Sequence, residues 1–81
     1  MPTVLIQGGF RFGFYSSDLA EPPHVHAKGS GGEAKIWLDP IELVFAFGLT
    51  ESEKRKIIKI VTEHQNALCV AWEKAKGRDD L

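Results

Sequence analysis

The sequence has very little of three features that would narrow its function class. Its single cysteine, Cys69, excludes an intramolecular disulfide framework and a cysteine-rich zinc site. No run approaches roughly 18 consecutive apolar residues, and no basic segment precedes an apolar one at the start, so we expect neither a membrane span nor a signal peptide. The formal net charge is only −1, which disfavours a histone-like nucleic-acid binder but permits a local basic patch.

What the sequence does contain is the composition of a small globule. With 81 residues, 43% of them hydrophobic and 26% charged, the chain predicts a single domain over residues 1–81 with one thin core. A chain this short without disulfides suits the reducing cytoplasm and gains stability from a partner. Phosphate-binding and dinucleotide-binding glycine motifs are absent from the sequence, so we expect no cofactor.

Apolar and polar residues alternate with a period of two along residues 1–48, and glycine and proline interrupt this pattern, which predicts a sheet. Gly8 and Gly9 form a two-residue turn, because tight hairpins require positive φ angles. Four strands and a weaker fifth are predicted, at residues 3–7, 10–15, 24–28, 33–38 and 43–47.

Residues 50–76 follow a helical period and contain neither glycine nor proline. Thr50 and Glu53 have the spacing of a capping box, Gly77 is a candidate stop, and residues 77–81 are expected to fray. The predicted fold class is therefore α+β, an antiparallel four- or five-stranded sheet with one long C-terminal helix packed on one face.

The strand register places polar residues on a common surface. If the turns lie at Gly8-Gly9 and at residues 29–32, then Ile6 is opposite Arg11 and His26 is opposite Lys35. The phenylalanines at positions 10, 12 and 14 then face the helix. The other side, which we call the open face, carries Arg11, Tyr15, His24, His26, Lys28, Glu33, Lys35 and Trp37, with Val4 and Ile6 beside them.

The pair His24 and His26 suggests chemistry on the open face. Two imidazoles on the same side of a strand suit metal-independent RNA cleavage, in which one removes the 2′-OH proton and the other protonates the leaving oxygen. The predicted catalytic set is His24, His26, Lys35 and Arg11, with the two cations stabilising developing negative charge. The predicted substrate-binding set is Tyr15, Lys28 and Trp37.

Two other interpretations of the pair remain open. His24, His26 and Glu33 form a possible set of two-histidine-one-carboxylate metal ligands, although Lys35 opposite His26 argues against a cation there. Alternatively, the imidazoles bond backbone groups where the strand begins, and their role is structural or in partner contact.

Several segments resemble a small bacterial family called domain of unknown function 4160. The most specific are Pro22-Pro23-His24-Val25-His26 and Gly32-Glu33-Ala34-Lys35, supported by residues 1–4 and 10–16, by Ile36-Trp37-Leu38 and by Trp72. The resemblance covers nearly the whole chain. It implies a cytosolic bacterial protein with a small protein partner, in a proposed toxin–antitoxin pair, but it supplies no reaction and no catalytic residues.

Three function classes follow as expectations. The first is a toxin-like component that binds RNA or another phosphate-bearing ligand and acts as a ribonuclease. The second is a non-enzymatic interaction module that binds an antitoxin-like partner or a second copy, because Val4, Ile6 and Trp37 make the open face partly apolar. The third is a metal-binding protein.

Overall fold

Five strands form one antiparallel sheet in which each strand pairs with the next along the chain. The computed structural model describes residues 3–15 and 19–79. The strands are β1 (Thr3–Gln7), β2 (Phe10–Gly13), β3 (His24–Gly29), β4 (Gly32–Leu38) and β5 (Ile41–Phe47). The predicted α+β class and antiparallel sheet are confirmed, and the weak fifth strand candidate is a full sheet member.

The two predicted hairpin turns form, with one difference in length. Gly8 and Gly9 both have positive φ angles, of 64° and 86°, as the tight turn between β1 and β2 requires. The second turn contains only Ser30 and Gly31, because Gly29 and Gly32 pair with each other rather than belonging to the loop. The predicted register is preserved, since the shorter turn leaves Lys28 opposite Glu33.

The predicted single helix over residues 50–76 is wrong in one respect, because the segment forms two helices. They are α1 (Glu51–Glu63) and α2 (Gln65–Asp79), and they meet at His64. The backbone N–H of His64 lies within hydrogen-bond distance of the carbonyls of both Ile60 and Val61, at 3.1 and 3.2 Å. The His64 ring is also 2.8 Å from the side-chain oxygen of Gln7, so the junction is tied to the end of β1.

The end of α2 also differs from the prediction. Gly77 does not stop the helix, which continues to Asp79. The predicted frayed tail is therefore helical over residues 77–79, and its residues 80–81 lie outside the described part of the chain.

The core lies between the sheet and α1. Phe10 and Phe12 of the predicted helix-facing side are buried against the apolar stripe of α1, which includes Ile57 and Val61. The central strands β3 and β4 fill the rest of this layer with Val25, Ala27, Ala34, Ile36 and Leu38. The alternation of the strands thus buries one side of the sheet.

A second, smaller apolar cluster anchors α2. Trp72 is buried with Phe14 and Leu19, and its ring centroid is 5.1 Å from that of Phe14. Gln65 at the start of α2 donates a hydrogen bond of 2.7 Å to the carbonyl of Leu38. These contacts attach α2 to the end of the sheet at which β3 begins.

Among the described residues, neither helix is long and apolar enough to cross a membrane.

The predicted capping box at the start of α1 is present. The backbone N–H of Glu53 donates to the Thr50 hydroxyl at 3.1 Å, and the Thr50 N–H donates to the Glu53 carboxylate at 2.8 Å. The bond from the Thr50 backbone, with a further one from the Ser30 side chain, lowers the pKa of Glu53 below its ordinary value of 4.5. Ionised Glu53 therefore favours the folded state.

The capping box makes the stability of the protein sensitive to acid. Because the pKa of Glu53 is lower in the folded state, its contribution is present above pH 4.5 and is lost as the pH falls through the folded-state pKa. Glu53→Gln keeps an oxygen that accepts from Thr50 but removes the titrating proton. We expect the unfolding free energy of Glu53→Gln, followed by urea titration, to fall less steeply than wild type between pH 5 and pH 3, roughly the window for carboxylates. Glu63→Gln, an exposed control on the same helix, should follow the wild-type curve, and parallel curves for all three proteins would contradict the assignment.

Candidate functional site

The open face is built from rows of residues that lie directly opposite one another across the sheet. The first row, from β1 to β5, is Ile6, Arg11, Lys28, Glu33 and Phe47. The second is Gly13, His26, Lys35 and Phe45, and the third is His24, Trp37 and Glu42. The predicted common side of the residues on β2, β3 and β4 is confirmed. The predicted register of β1 holds from Leu5 to Gln7, but an irregularity between Thr3 and Leu5 places Thr3, rather than Val4, opposite Gly13.

The predicted exposure of the two imidazoles is wrong. His24 is 0% exposed and His26 is 7% exposed. The His24 ring lies against Trp72, with centroids 4.9 Å apart, and against Trp37 at 5.5 Å. The reason is tertiary, since the Trp72 side chain of α2 lies against His24 and the Tyr15 ring lies against His26.

His24 bonds a backbone group where β3 begins. Its Nδ1 is 3.0 Å from the carbonyl oxygen of Pro22, and a carbonyl only accepts, so Nδ1 donates this hydrogen bond. The predicted ribonuclease mechanism requires two imidazoles that a substrate can reach. The structure buries His24, and its ring bonds a backbone carbonyl where β3 begins, as the alternative interpretation expects.

His26 is covered by Tyr15 on the open face rather than by residues of the core. The ring of Tyr15 lies over it in an edge arrangement, with centroids 5.4 Å apart. Its Nδ1 is 3.5 Å from a carboxylate oxygen of Glu33. Nevertheless, no three histidine, cysteine or carboxylate side chains in the described ranges are grouped to hold a metal ion, so the alternative ligand set His24, His26 and Glu33 does not form.

Three cations of the predicted site do lie together on the open face. Lys28 donates a hydrogen bond of 2.5 Å to the Tyr15 hydroxyl and is 3.5 Å from Glu33. The hydrogen bond with Tyr15 is the main reason why the pKa of Lys28 is raised above its ordinary 10.5, so its ammonium group is charged at neutral pH. Arg11, directly opposite Lys28, is exposed.

Lys35 is the third cation, and it is held in position from two sides. Its ammonium group is 2.7 Å from a carboxylate oxygen of Glu21 and lies 4.9 Å from the centre of the Trp37 ring. The ion pair and the cation–π contact orient Lys35 beside Trp37, as the predicted catalytic and substrate-binding sets would require. Glu21 was not among the predicted site residues.

Two further aromatic residues on this face were not predicted. Phe45 and Phe47 are 40% and 61% exposed, and their rings are nearly parallel at a centroid distance of 6.1 Å. They lie directly opposite Lys35 and Glu33 of β4, so their rings are on the same side of the sheet as those residues. An irregularity in the β4–β5 pairing shifts the register between these residues and the Asp39-Pro40 turn, so counting back from that turn would have assigned them to the wrong side.

The open face therefore combines positive charge with exposed aromatic rings. The cations Arg11, Lys28 and Lys35 occupy its middle, and Phe45 and Phe47 lie at the β5 edge. Cations bind phosphate oxygens, and flat aromatic rings stack on unpaired bases. Such an arrangement can bind a ligand without performing any bond-breaking step.

A comparison with protein-family models finds a match to the family described as Domain of unknown function (DUF4160), over residues 9–73. This span includes β2 to β5, α1 and Trp72, and thus nearly the whole open face. No curated protein and no solved structure matches the chain.

Proposed function

The chain belongs to the family described as Domain of unknown function (DUF4160), and we propose that the open face of its sheet binds single-stranded RNA. Arg11, Lys28 and Lys35 contact phosphates in this proposal, while Trp37, Phe45 and Phe47 stack on bases. The observation that carries it is the placement of three cations beside exposed aromatic rings, on the side of the sheet opposite α1. The proposal also places the protein in the cytoplasm, which suits a chain with a single cysteine.

Single-stranded rather than double-stranded RNA fits the chemistry of this surface. Stacking on a side chain requires a base that is free of its neighbours, and such bases occur in single strands, loops and ends. The stacked pair Phe45 and Phe47 already presents ring surface toward solvent. The net charge of −1 means that attraction to phosphates must come from the local group of cations rather than from the whole protein.

Cleavage of the RNA is not part of the proposal. A two-histidine mechanism needs His24 at the reacting atoms, and its ring is enclosed by Trp72, Trp37 and His26. The cations and exposed aromatic rings of the open face support binding of RNA rather than its cleavage.

A direct test is the fluorescence anisotropy of a labelled, unstructured oligoribonucleotide titrated with the protein over a series of salt concentrations. Three phosphate contacts predict a slope of about −2 in a plot of log K against log salt concentration, since each contact to a single strand contributes about −0.7. Absence of saturable binding at low salt, or a slope near zero, would contradict the proposal.

A second candidate function is protein interaction at the edges of the sheet. Ile6 on β1 and Phe47 on β5 are 69% and 61% exposed, and each lies on a strand with one neighbour in the described sheet. Such edges can pair with a strand of another chain. A second copy, or the antitoxin-like partner of a toxin–antitoxin pair, would cover this apolar surface.

Light scattering on purified protein tests this second candidate. A homodimer would show a mass of about twice the 9.0 kDa of the chain, and Phe47→Lys should return it to the monomer mass, because a charge would be buried at the edge. Growth arrest on overexpression, relieved by the product of a neighbouring gene, would favour the toxin–antitoxin form. A protein that stays monomeric at all concentrations and binds no neighbour product would exclude the candidate.

A further inference from the structure

A shallow cavity of about 440 Å³ lies on the open face between the β1–β2 hairpin and β3. It is lined by Thr3, Gly9, Arg11, Lys28 and Gly29. A volume of this order lies within the range of small-molecule sites.

Among the described residues that line this cavity, the two charged side chains are both cationic. Arg11 and Lys28 are direct partners on neighbouring antiparallel strands, an arrangement in which like charges repel. The positive charge of Lys28 is partly compensated by Glu33, because a carboxylate oxygen of Glu33 is 3.5 Å from the Lys28 ammonium group. Arg11 is exposed and forms no ion pair with another described residue, so its guanidinium group can contact an anion bound in the cavity.

Backbone forms the rest of the wall beside the cations. A Cβ atom on Gly29 would lie 2.5 Å from the carbonyl oxygen of Gly9 and 2.8 Å from the ring of Phe10. Glycine is therefore required at position 29, and its missing side chain allows β3 to approach the turn closely. Because Gly29 has the parity of Val25 and Ala27, this approach lies on the helix-facing side of the sheet, and it brings β3 and the turn together beside the two cations.

We infer that this cavity holds a terminal phosphate monoester of the RNA, an inference that rests on the proposed function. A terminal phosphate carries close to two negative charges at neutral pH, whereas a phosphodiester carries one. The terminal group therefore gains more from the positive charge of Arg11 and Lys28, even though Lys28 is shared with Glu33. The cavity extends along β1 and β2, from Gly9 of the turn to Thr3. From there, the RNA chain can extend across the open face, past the Tyr15 ring that covers His26, toward Lys35 and Trp37.

The distinguishing experiment compares three forms of one oligoribonucleotide, which carry a 5′-phosphate, a 3′-phosphate, or hydroxyls at both ends. The label is internal, and anisotropy gives the affinity of each form for wild type, Arg11→Gln and the control Arg55→Gln. Arg55 is exposed on α1, on the other side of the molecule from the cavity, and its substitution changes the net charge equally. Circular dichroism spectra establish that both variants are folded.

We expect one phosphorylated form to bind wild type at least about tenfold more tightly than the hydroxyl form, as for hydrogen bonds to charged groups. The form that gains affinity identifies which end is bound. Arg11→Gln should abolish the difference, and Arg55→Gln should keep it. Equal affinity of all three forms for wild type would overturn the terminal-phosphate inference and leave binding at the open face intact, whereas failure of every form to bind would overturn the proposed function itself.

Discussion

Replacing Trp72 with alanine should destabilise the protein by about 3–5 kcal/mol, the usual cost of removing a large buried aromatic side chain. Trp72 is 1% exposed and joins three parts of the molecule: α2, Phe14 after β2, and His24 at the start of β3. A domain of 81 residues has a total stability of roughly 4–12 kcal/mol, so the loss would be a large share of it. Urea denaturation followed by circular dichroism measures the change.

The same helix supplies the control. Val70 is 44% exposed, and Val70→Ala should change the unfolding free energy by no more than about 0.5 kcal/mol, as is typical of surface substitutions. Hydrogen exchange adds a local readout, because amides of α2 should lose protection in Trp72→Ala before those of α1. A destabilisation below about 1 kcal/mol would mean that Trp72 does not hold α2 against the sheet, and the burial of His24 would then need another explanation.

Removing the three cations of the open face should weaken RNA binding by at least about 100-fold at low salt. The variant is Arg11→Gln combined with Lys28→Gln and Lys35→Gln. A hydrogen bond to a charged group contributes about 1.5–3 kcal/mol, which is tenfold or more for each cation. The ion pairs of Lys28 with Glu33 and of Lys35 with Glu21 reduce this effect, so we expect less than the full sum.

The control for this variant removes the same charge elsewhere. Arg55, Lys59 and Lys76 are exposed on the helices, and replacing all three with glutamine leaves the open face unchanged. The control should bind RNA with nearly wild-type affinity and a salt slope of about −2, while the open-face variant should show a slope near zero. Equal losses in both variants would show that net charge, rather than the open face, governs binding.

The register of the sheet could be predicted from the sequence because two independent signals agree. Gly8 and Gly9 place the first turn, and alternation in β2 and β3 then puts the phenylalanines on one side and Arg11, His26 and Lys28 on the other. A shift of one residue would have buried charged side chains, so only one register was compatible with the pattern.

The break between the helices could not be predicted because His64 fits the apolar stripe. It lies three residues after Val61 and four before Leu68, both of which are buried. What interrupts the helix is a pair of contacts with distant residues: the His64 ring with Gln7, and the Gln65 side chain with the Leu38 carbonyl. Periodicity carries no information about such contacts.

The burial of His24 was missed for a similar reason. Strand parity correctly placed it on the same side as Lys28 and Trp37, but parity does not show what covers a side chain. Trp72 is 48 positions later in the sequence and reaches His24 only because α2 packs against the end of the sheet. The predicted common side of the cations and aromatic rings is confirmed, whereas the predicted exposure of His24 and His26 is wrong.

The most direct test of the central claim is an NMR titration of isotopically labelled protein with single-stranded RNA. Binding at the open face predicts that the largest shift changes occur at Arg11, Lys28, Lys35, Phe45 and Phe47, while the outer surface of α1 around Arg55 and Lys59 is unaffected. Shift changes concentrated on α1, or the absence of any change at saturating RNA concentrations, would contradict the account.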